Sequence, residues 1–378
     1  MDFSDDIVLE LLLRLPVKSV MRFKCVSSEW NDMISAAAFR KNYLSRHTKN
    51  SPTGFFYHRE APMFSETGYN LYGPAKFINT TTTEVKTREF QSLDYLQEFG
   101  YVMASSKGLL LLSKDPNSYH VFDPVSKKCI KLPEPLKKLP RATVGFICHE
   151  QECTDGHNIN VHSLSYKVVR IGFEFCSYKA KTWVVETYSS NTSKWKKYKI
   201  VAPLEFNFGP QLAAKVIGGV YHWWSRLTNS ILAYNPDNNP KGHVKLIKSP
   251  WDMGIDAGGF TDIEGTQNRC LQLYKIGAWI EVWVLEGKQE GGSYLDEDED
   301  VVEVNRWTLA HRISLWEIGV KPSDVYVNLL PLPILISPWN PHIIFYQSPD
   351  KLLSYDGTNR KFVELLPAHN IDFGGGIC

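Results

Sequence analysis

The spacing of apolar residues changes once along this chain of 378 residues, and that change constrains the fold more than any other feature. Up to about residue 47 the apolar residues follow helical spacing, as in Ile7, Leu11 and Leu15. After about residue 50 they alternate with polar residues and are mostly β-branched or aromatic, with Gly, Pro, Asn and Asp between the runs. The chain is therefore predicted to be mainly β, with a small N-terminal all-α module at residues 1–47 and a β domain at residues 48–378.

Four short helices are predicted in the N-terminal module. Ser4 can cap the first helix, which ends before Pro16 because proline cannot continue a helix. The second covers residues 17–25, the third begins after Ser27, which can cap it, and the fourth covers residues 36–43. Isolated helices shorter than roughly 12 to 15 residues are marginal in water. The module is therefore predicted to need a partner surface.

A weak internal repeat runs through the β domain. Each copy is an apolar strand that ends in an aromatic residue, then a polar turn, then a strand with a bulky residue further on. The five copies are residues 119–123 leading to Ile130, 184–188 leading to Trp195, 231–235 leading to Val244, 280–283 leading to Trp307, and 352–356 leading to Phe362. About 24 candidate strands at four per blade predict a β-propeller-like domain of about six blades. A two-sheet sandwich is the structural alternative.

Composition restricts the partners and the compartment. With 42 basic and 41 acidic residues the formal net charge is +1, so there is no global field to attract nucleic acid or an anionic membrane. The seven cysteines are irregularly spaced, which favours a reducing compartment over a disulfide framework. The chain opens on acidic residues and no run approaches the 18 or so apolar residues of a membrane span. We expect a cytoplasmic or nuclear protein, with neither nucleic acid nor membrane as its partner.

Two polar stretches could carry chemistry. Residues 148–162 hold two cysteines and three histidines, enough to bind zinc, but the spacing fits no common zinc finger and a polar loop is the favoured interpretation. The acidic run 296–300 is predicted to be a solvated loop between the strands of Trp283 and Trp307, with contact to a basic substrate as the alternative. No nucleophile elbow, P-loop or dinucleotide motif is present. We therefore expect no catalytic residue, no cofactor and no bound metal.

The N-terminal residues 6–30 resemble the F-box of plant F-box proteins. The resemblance rests on Arg-Leu-Pro-Val-Lys-Ser at 14–19, Arg-Phe-Lys-Cys-Val-Ser at 22–27, and Trp30. It departs from the family at Phe3-Ser4, where Leu-Pro is usual, and at Glu29, where Lys is common. The remainder resembles the F-box-associated domain that follows such F-boxes, through residues 106–110, 122–124, 166–170 and 281–283.

This resemblance implies the substrate-recognition subunit of an SCF (Skp/cullin/F-box) ubiquitin ligase, which is not itself an enzyme. The F-box would bind the Skp adaptor, and cullin through it, while the β domain would bind a target protein for ubiquitination. The residues expected to bind the adaptor are Ile7, Leu11, Leu15, Pro16, Val17, Ser19, Val20, Arg22, Phe23, Val26 and Trp30. Two alternatives stay open: an adaptor-binding scaffold outside a ligase, and a β-propeller binding module or enzyme with a helical cap.

Aromatic residues near predicted turns are candidates for contacting the target protein, because Trp and Arg dominate binding hot spots. Most Trp residues of a propeller pack between blades instead. Trp224 and Arg226 are the first choice for substrate binding among them.

Overall fold

The computed structural model divides the chain into two compact units, residues 1–51 with 149–165, and residues 52–148 with 166–378. Between these limits, the structure describes residues 5–36, 38–39, 42–43, 46, 54–57, 63–65, 68–70, 76–79, 91–92, 96, 98–124, 127–139, 142–150, 164–173, 180–206, 213–225, 228–237, 244–251, 260–265, 271–276, 279–285, 301–302, 307–314, 316, 333–336, 343–348 and 351–367.

Short helices form the start of the first unit. They are α1 (Asp5–Leu12), α2 (Val17–Phe23) and α3 (Ser28–Ser35). The predicted cap of α3 is confirmed, since the Ser27 Oγ accepts a hydrogen bond from the Trp30 backbone N–H at 3.2 Å. Ser4, the predicted cap of α1, lies outside the described residues. At the position of the predicted fourth helix, the described residues Phe39 and Tyr43 are helical.

Five antiparallel sheets of the second unit each contain four strands that follow one another in the sheet. In chain order these twenty strands are β6 (Tyr101–Ser106), β7 (Leu109–Asp115), β8 (Ser118–Asp123) and β9 (Lys128–Lys131); β10 (Ala142–Glu150), β11 (Leu164–Gly172), β12 (Ala180–Ser189) and β13 (Lys194–Phe206); β14 (Lys215–Ile217), β15 (Val220–Ser225), β16 (Ser230–Tyr234) and β17 (Val244–Lys248); β18 (Phe260–Gly265), β19 (Leu271–Ile276), β20 (Trp279–Leu285) and β22 (Trp307–Ser314); and β23 (Pro333–Ile336), β24 (Ile343–Ser348), β25 (Lys351–Asp356) and β26 (Lys361–Pro367). This is the arrangement of a five-bladed β-propeller.

The sequence repeat corresponds to the third and fourth strands of every blade. Its paired positions face each other across these strands, as Val121 faces Ile130, Tyr188 faces Trp195 and Tyr355 faces Phe362. The propeller prediction is confirmed, whereas the count of about six blades is one too high. The number of repeats, five, equals the number of blades. The estimate from about 24 strands was too high because some strands lie outside the blades.

Those additional strands are short. They are β1 (Gly54–Tyr57), β2 (Met63–Ser65), β3 (Gly68–Asn70), β4 (Lys76–Asn79), β5 (Gln91–Ser92) and β21 (Val301–Val302). The first five form a three-stranded sheet and a separate hairpin. β21 pairs in parallel with β17, the outermost strand of the third blade, although it follows β20 of the fourth blade in sequence. β21 therefore belongs to the sheet of the neighbouring blade.

Tight turns set the register of the inner strands. Lys107 and Gly108 both have positive φ, +46° and +85°, between the paired residues Ser106 and Leu109. Gly218 and Gly219 repeat this conformation at +59° and +85° before β15. Positive φ at both central residues is the type I′ turn, whose twist matches that of the flanking strands.

Large aromatic and aliphatic side chains fill the space between adjacent blades. Trp183, Val185, Trp223 and Leu232 belong to one core cluster and are at most 1% exposed. A charged pair is buried as well: Arg170 on β11 faces Glu186 on β12, with 3.4 Å between the Arg170 Nη1 and a carboxylate oxygen and both side chains fully buried. Among the described residues, no helix is long and apolar enough to cross a membrane.

Candidate functional site

The helical module has a small core of its own. Its centre consists of five side chains that are at most 6% exposed: Leu12, Leu13, Val20, Ile34 and Phe39. Around them pack half-buried residues, including Phe23 and Trp30, whose ring centroids are 5.4 Å apart. The Tyr43 hydroxyl donates a hydrogen bond to the Leu15 backbone oxygen at 2.7 Å, which ties the last part of the module to the turn after the first helix. The short helices thus hold together through shared contacts.

This core leaves large apolar side chains at the surface. We call the four of them the exposed apolar set: Ile7 at 50% exposure, Leu11 at 57%, Met21 at 48% and Val26 at 60%. Ile7 and Leu11 are four residues apart on α1 and therefore lie on the same helix face. Isolated exposed apolar residues are common in soluble proteins, but four within twenty residues of sequence suit the surface of a binding module.

Basic side chains accompany the exposed apolar set. Arg14 and Arg22 are exposed, and Lys24 donates a hydrogen bond from its Nζ to the Ser35 Oγ at 2.8 Å. Glu10 is held by two arginines: Arg46 bonds both of its carboxylate oxygens at 2.7 and 2.8 Å, and Arg14 bonds one of them at 2.9 Å. The Arg46 hydrogen bond, followed by that of Arg14, lowers the Glu10 pKa to about 2. Glu10 therefore stays ionised and neutralises part of the local positive charge.

The residues predicted to bind the adaptor fall into groups of different exposure. Exposed members are Ile7, Leu11, Pro16, Arg22 and Val26; half-buried members are Leu15, Ser19, Phe23 and Trp30; Val20 is buried in the core, and the side chain of Val17 lies outside the description. The exposed members are accessible to a partner in this structure, whereas Val20 supports the module from inside. Met21 is an exposed apolar residue that was not among those predicted to bind the adaptor. Its four-residue spacing from Val17 along α2 is the sequence feature that could have identified it.

The two residues predicted to bind substrate have different outcomes. Trp224 is only 4% exposed and packs in a core cluster with Ile231, Leu273 and Trp307. This placement does not fit a surface anchor, because the neighbouring blade's strands cover the indole ring. Arg226 lies outside the described residues. Trp223 is also buried, at 0% exposure, and its Nε1 donates a hydrogen bond to the Thr143 Oγ1 at 3.0 Å.

Most of the Cys- and His-containing stretch at 148–162 lies outside the described residues, as does the acidic run 296–300. Cys148 itself is 2% exposed, and burial raises the pKa of its thiol to about 11. A thiol in that state is protonated at neutral pH and is a weak metal ligand.

The chain thus combines a small helical module that has exposed apolar side chains with a β-propeller. The F-box domain family matches residues 1–42. The family described as F-box protein At3g26010-like, beta-propeller, matches residues 87–366. The chain therefore belongs to the F-box proteins that carry a β-propeller of the At3g26010-like type.

Relatives from Arabidopsis thaliana agree with this assignment. The chain is 28% identical to F-box protein At5g03970 over 75% of its own length and 65% of the relative. It is 27% identical to the putative F-box/kelch-repeat protein At4g22430 over 54% of its length and 46% of the relative. It is 23% identical to F-box protein At5g49610 over 74% of each chain. The chain thus spans less than two thirds of the first two relatives.

Among solved structures, a protein of unknown function from Bacteroides caccae has a TM-score of 0.42 and 11% identity over 84% of this chain and 94% of its own. That likeness is too weak to bear on function.

Proposed function

We propose that this protein is the substrate-recognition subunit of an SCF ubiquitin ligase. Its F-box would bind a Skp-type adaptor that links it to cullin, and its propeller would bind a target protein. The observation that carries the proposal is the exposed apolar set on a module that matches the F-box domain. In this role the chain contributes no catalytic group of its own. It raises the effective concentration of a target lysine near the ubiquitin carrier.

The physical basis of adaptor binding is the burial of the exposed apolar set. Fully burying an aliphatic side chain contributes about 1.5 to 3 kcal/mol. Side chains that are already half-buried would contribute about 1 kcal/mol each on docking. Arg14 and Arg22, both exposed beside this set, would orient the module against acidic groups at the rim of an adaptor groove, since complementary charge supplies orientation and association rate.

The proposal is tested by titrating purified full-length protein with a purified Skp-type adaptor in a calorimeter. Leu11→Asp and Val26→Asp each place a charge within the exposed apolar set, and we expect either to weaken adaptor binding at least about tenfold. Val363→Asp is the matched control, because Val363 is 49% exposed but lies on β26 of the propeller. Its adaptor affinity should equal that of the wild type.

Two results would contradict the proposal. One is the absence of any complex between the folded wild-type protein and the adaptor. The other is wild-type affinity in both module variants, with unchanged unfolding midpoints. Reconstitution with cullin and a ubiquitin carrier then separates a ligase subunit from an adaptor-binding scaffold, since only the former supports ubiquitin transfer to a bound target.

A further inference from the structure

Positive charge is concentrated on two segments of the propeller. Residues 127–138 and 194–199 together contain nine lysines and one glutamate, whereas the whole chain has a formal net charge of +1. The first segment covers β9, the outermost strand of the first blade, and the connection to the second blade. The second segment begins β13, the outermost strand of the second blade. The charge therefore belongs to the periphery of two adjacent blades.

The connection between these blades lies against β12 and β13. The Trp195 Nε1 donates a hydrogen bond to the Pro133 backbone oxygen at 2.8 Å. Leu139 packs in one core cluster with Val184 of β12. Burial raises the pKa of Glu186, against the opposing effects of Arg170, the backbone N–H groups of Lys137 and Leu136, and the Lys197 ammonium. Glu186 therefore lies close to these groups of the connection and of β13. These contacts bring residues 133–139 beside the face of β13 that carries Lys197.

The register of β13 places three exposed side chains on that same face. Lys197 faces Glu186, Lys199 faces Val184 and Val201 faces Thr182 across the β12–β13 pair. Residues two apart on a strand point to the same side. Lys197 and Lys199 are exposed, and Val201 is 63% exposed. Glu186 has no exposed side-chain surface, so a ligand would meet the ammonium groups and not this carboxylate.

Apolar side chains are exposed beside these lysines. Ile130 on β9 is 54% exposed and Leu136 in the connection is 58% exposed. An exposed lysine, Lys138, accompanies Leu136 in the connection. We call this surface the outer seam, defined by Ile130, Leu136, Lys138, Lys197, Lys199 and Val201. It combines ammonium groups with three aliphatic residues that are all more than half exposed.

We propose that the outer seam binds an acidic segment of a protein that also carries aliphatic side chains, and that this segment belongs to the target protein. The identification of the ligand as the target protein rests on the proposed function, whereas the binding surface itself does not depend on it. Carboxylates would pair with the lysines and supply orientation and association rate, while Ile130, Leu136 and Val201 would supply apolar burial.

The composition of the outer seam favours protein over nucleic acid. All nine basic residues of the two segments are lysines, without the arginine forks that read base edges. Single-stranded nucleic acid also needs exposed aromatic rings for stacking. The aromatic residues of these two segments are not exposed enough for base stacking, since Trp195 is 7% exposed and Tyr198 is half-buried.

The test measures binding of the full chain to a fluorescent peptide of about twelve residues in which glutamate alternates with leucine. Its control is the same peptide with glutamine in place of every glutamate. We expect the acidic peptide to bind at low salt with an affinity that falls as salt rises, because screening weakens interactions between exposed charges. The glutamine peptide should bind at least about tenfold more weakly.

Protein variants locate the binding. Lys138→Glu with Lys199→Glu should weaken acidic-peptide binding at least about tenfold, and the milder Lys138→Gln with Lys199→Gln should weaken it several-fold. Val201→Asp should weaken it as well, since it removes an apolar contact and adds a like charge. Lys361→Glu on β26 is the matched control, because Lys361 is exposed on another blade, and it should leave peptide affinity unchanged.

The outcomes separate this inference from the proposed function. Adaptor binding with no peptide binding, or with equal losses in the Lys361 control and the outer-seam variants, overturns the outer seam and leaves the F-box role standing. Peptide binding that follows the variants without any adaptor binding supports the seam and removes the F-box role. Tight binding of single-stranded DNA that the acidic peptide cannot displace would overturn the assignment to a protein ligand.

Discussion

The helical module and the propeller differ in how completely they bury their apolar side chains. The module gathers five well-buried side chains into its core and leaves Ile7, Leu11, Met21 and Val26 about half exposed. In the propeller, whole strands are inaccessible, as in β15 and β16, where every residue is buried. Each blade is covered by its neighbours, whereas a few short helices cannot cover one another completely. The comparison teaches that the module keeps apolar surface available for a partner, whereas these two inner strands of the propeller keep none.

The largest effect is expected at the buried ion pair of the propeller. Glu186→Leu would leave the Arg170 guanidinium buried without its carboxylate, and loss of one partner of such a pair costs about 3 to 5 kcal/mol. Arg170 also donates to the Asn117 Oδ1 at 3.0 Å, which connects the first two blades. Denaturant unfolding measures the loss.

The matched control for this pair is the double variant Arg170→Met with Glu186→Leu. Replacing both charges by apolar groups of similar volume should restore most of the lost stability. A double variant as unstable as the single one would contradict the interpretation that the isolated charge causes the loss.

The second prediction contrasts two adjacent leucines of α1. Leu12 is 1% exposed and Leu11 is 57% exposed. Leu12→Ala should destabilise the module by about 2 to 5 kcal/mol through a cavity, while Leu11→Ala should change stability by no more than about 0.5 kcal/mol. Circular dichroism during denaturation reports both.

Adaptor affinity sharpens the contrast between these leucines. Leu11→Ala should weaken adaptor binding while the module stays folded, which a purely structural role would not produce. Equal loss of stability in the two variants would mean that the module does not separate a core face from a binding face.

The third prediction concerns His222 in the core of the propeller. Its Nδ1–H donates to the Lys215 backbone oxygen at 3.2 Å, and burial lowers the pKa of the imidazole from 6.5 to about 4. In the unfolded chain the imidazole binds a proton near pH 6.5, whereas in the folded chain it stays neutral down to about pH 4. The stability that the neutral form provides is therefore complete above pH 6.5 and is lost as the pH falls toward 4. The full difference corresponds to roughly 3 kcal/mol.

Unfolding measurements between pH 7 and pH 4 test this titration. His222→Gln keeps a donor for Lys215 but cannot titrate, so the difference in unfolding free energy between wild type and variant should shrink as the pH falls. Parallel curves for the two proteins would show that His222 does not stay neutral in the fold.

The smallest effect is expected at Glu10 on the surface of the module. Its hydrogen bonds to Arg46 and Arg14 lower the Glu10 pKa from 4.5 to about 2, so their contribution is present above pH 4.5 and is lost as the pH falls toward 2. Exposed ion pairs stabilise proteins weakly and are screened by salt. Glu10→Gln should therefore leave the unfolding midpoint nearly unchanged at moderate salt. A large shift would show that Arg46 holds the module together.

The amino-acid sequence by itself determined the division into a helical start and a repeated β region. It also determined the third and fourth strands of each blade, the Ser27 cap and the pairing of Tyr188 with Trp195, because these depend on residue spacing and turn chemistry within one or two elements. The same repeat contained the correct number of blades, five, although counting strands gave about six. The F-box motif in turn identified which helices match the F-box domain.

Only the tertiary structure decided which face of each element is covered. Val20 of α2 and Leu11 of α1 both fit the apolar pattern, yet Val20 is buried and Leu11 is exposed, because the packing of each helix against its neighbours fixes its buried face. Trp224 was a first choice for binding substrate and lies in a core, since the next blade packs over it. The outer seam likewise joins residues about sixty positions apart in the sequence. No local pattern encodes such contacts, because they arise when blades pack side by side.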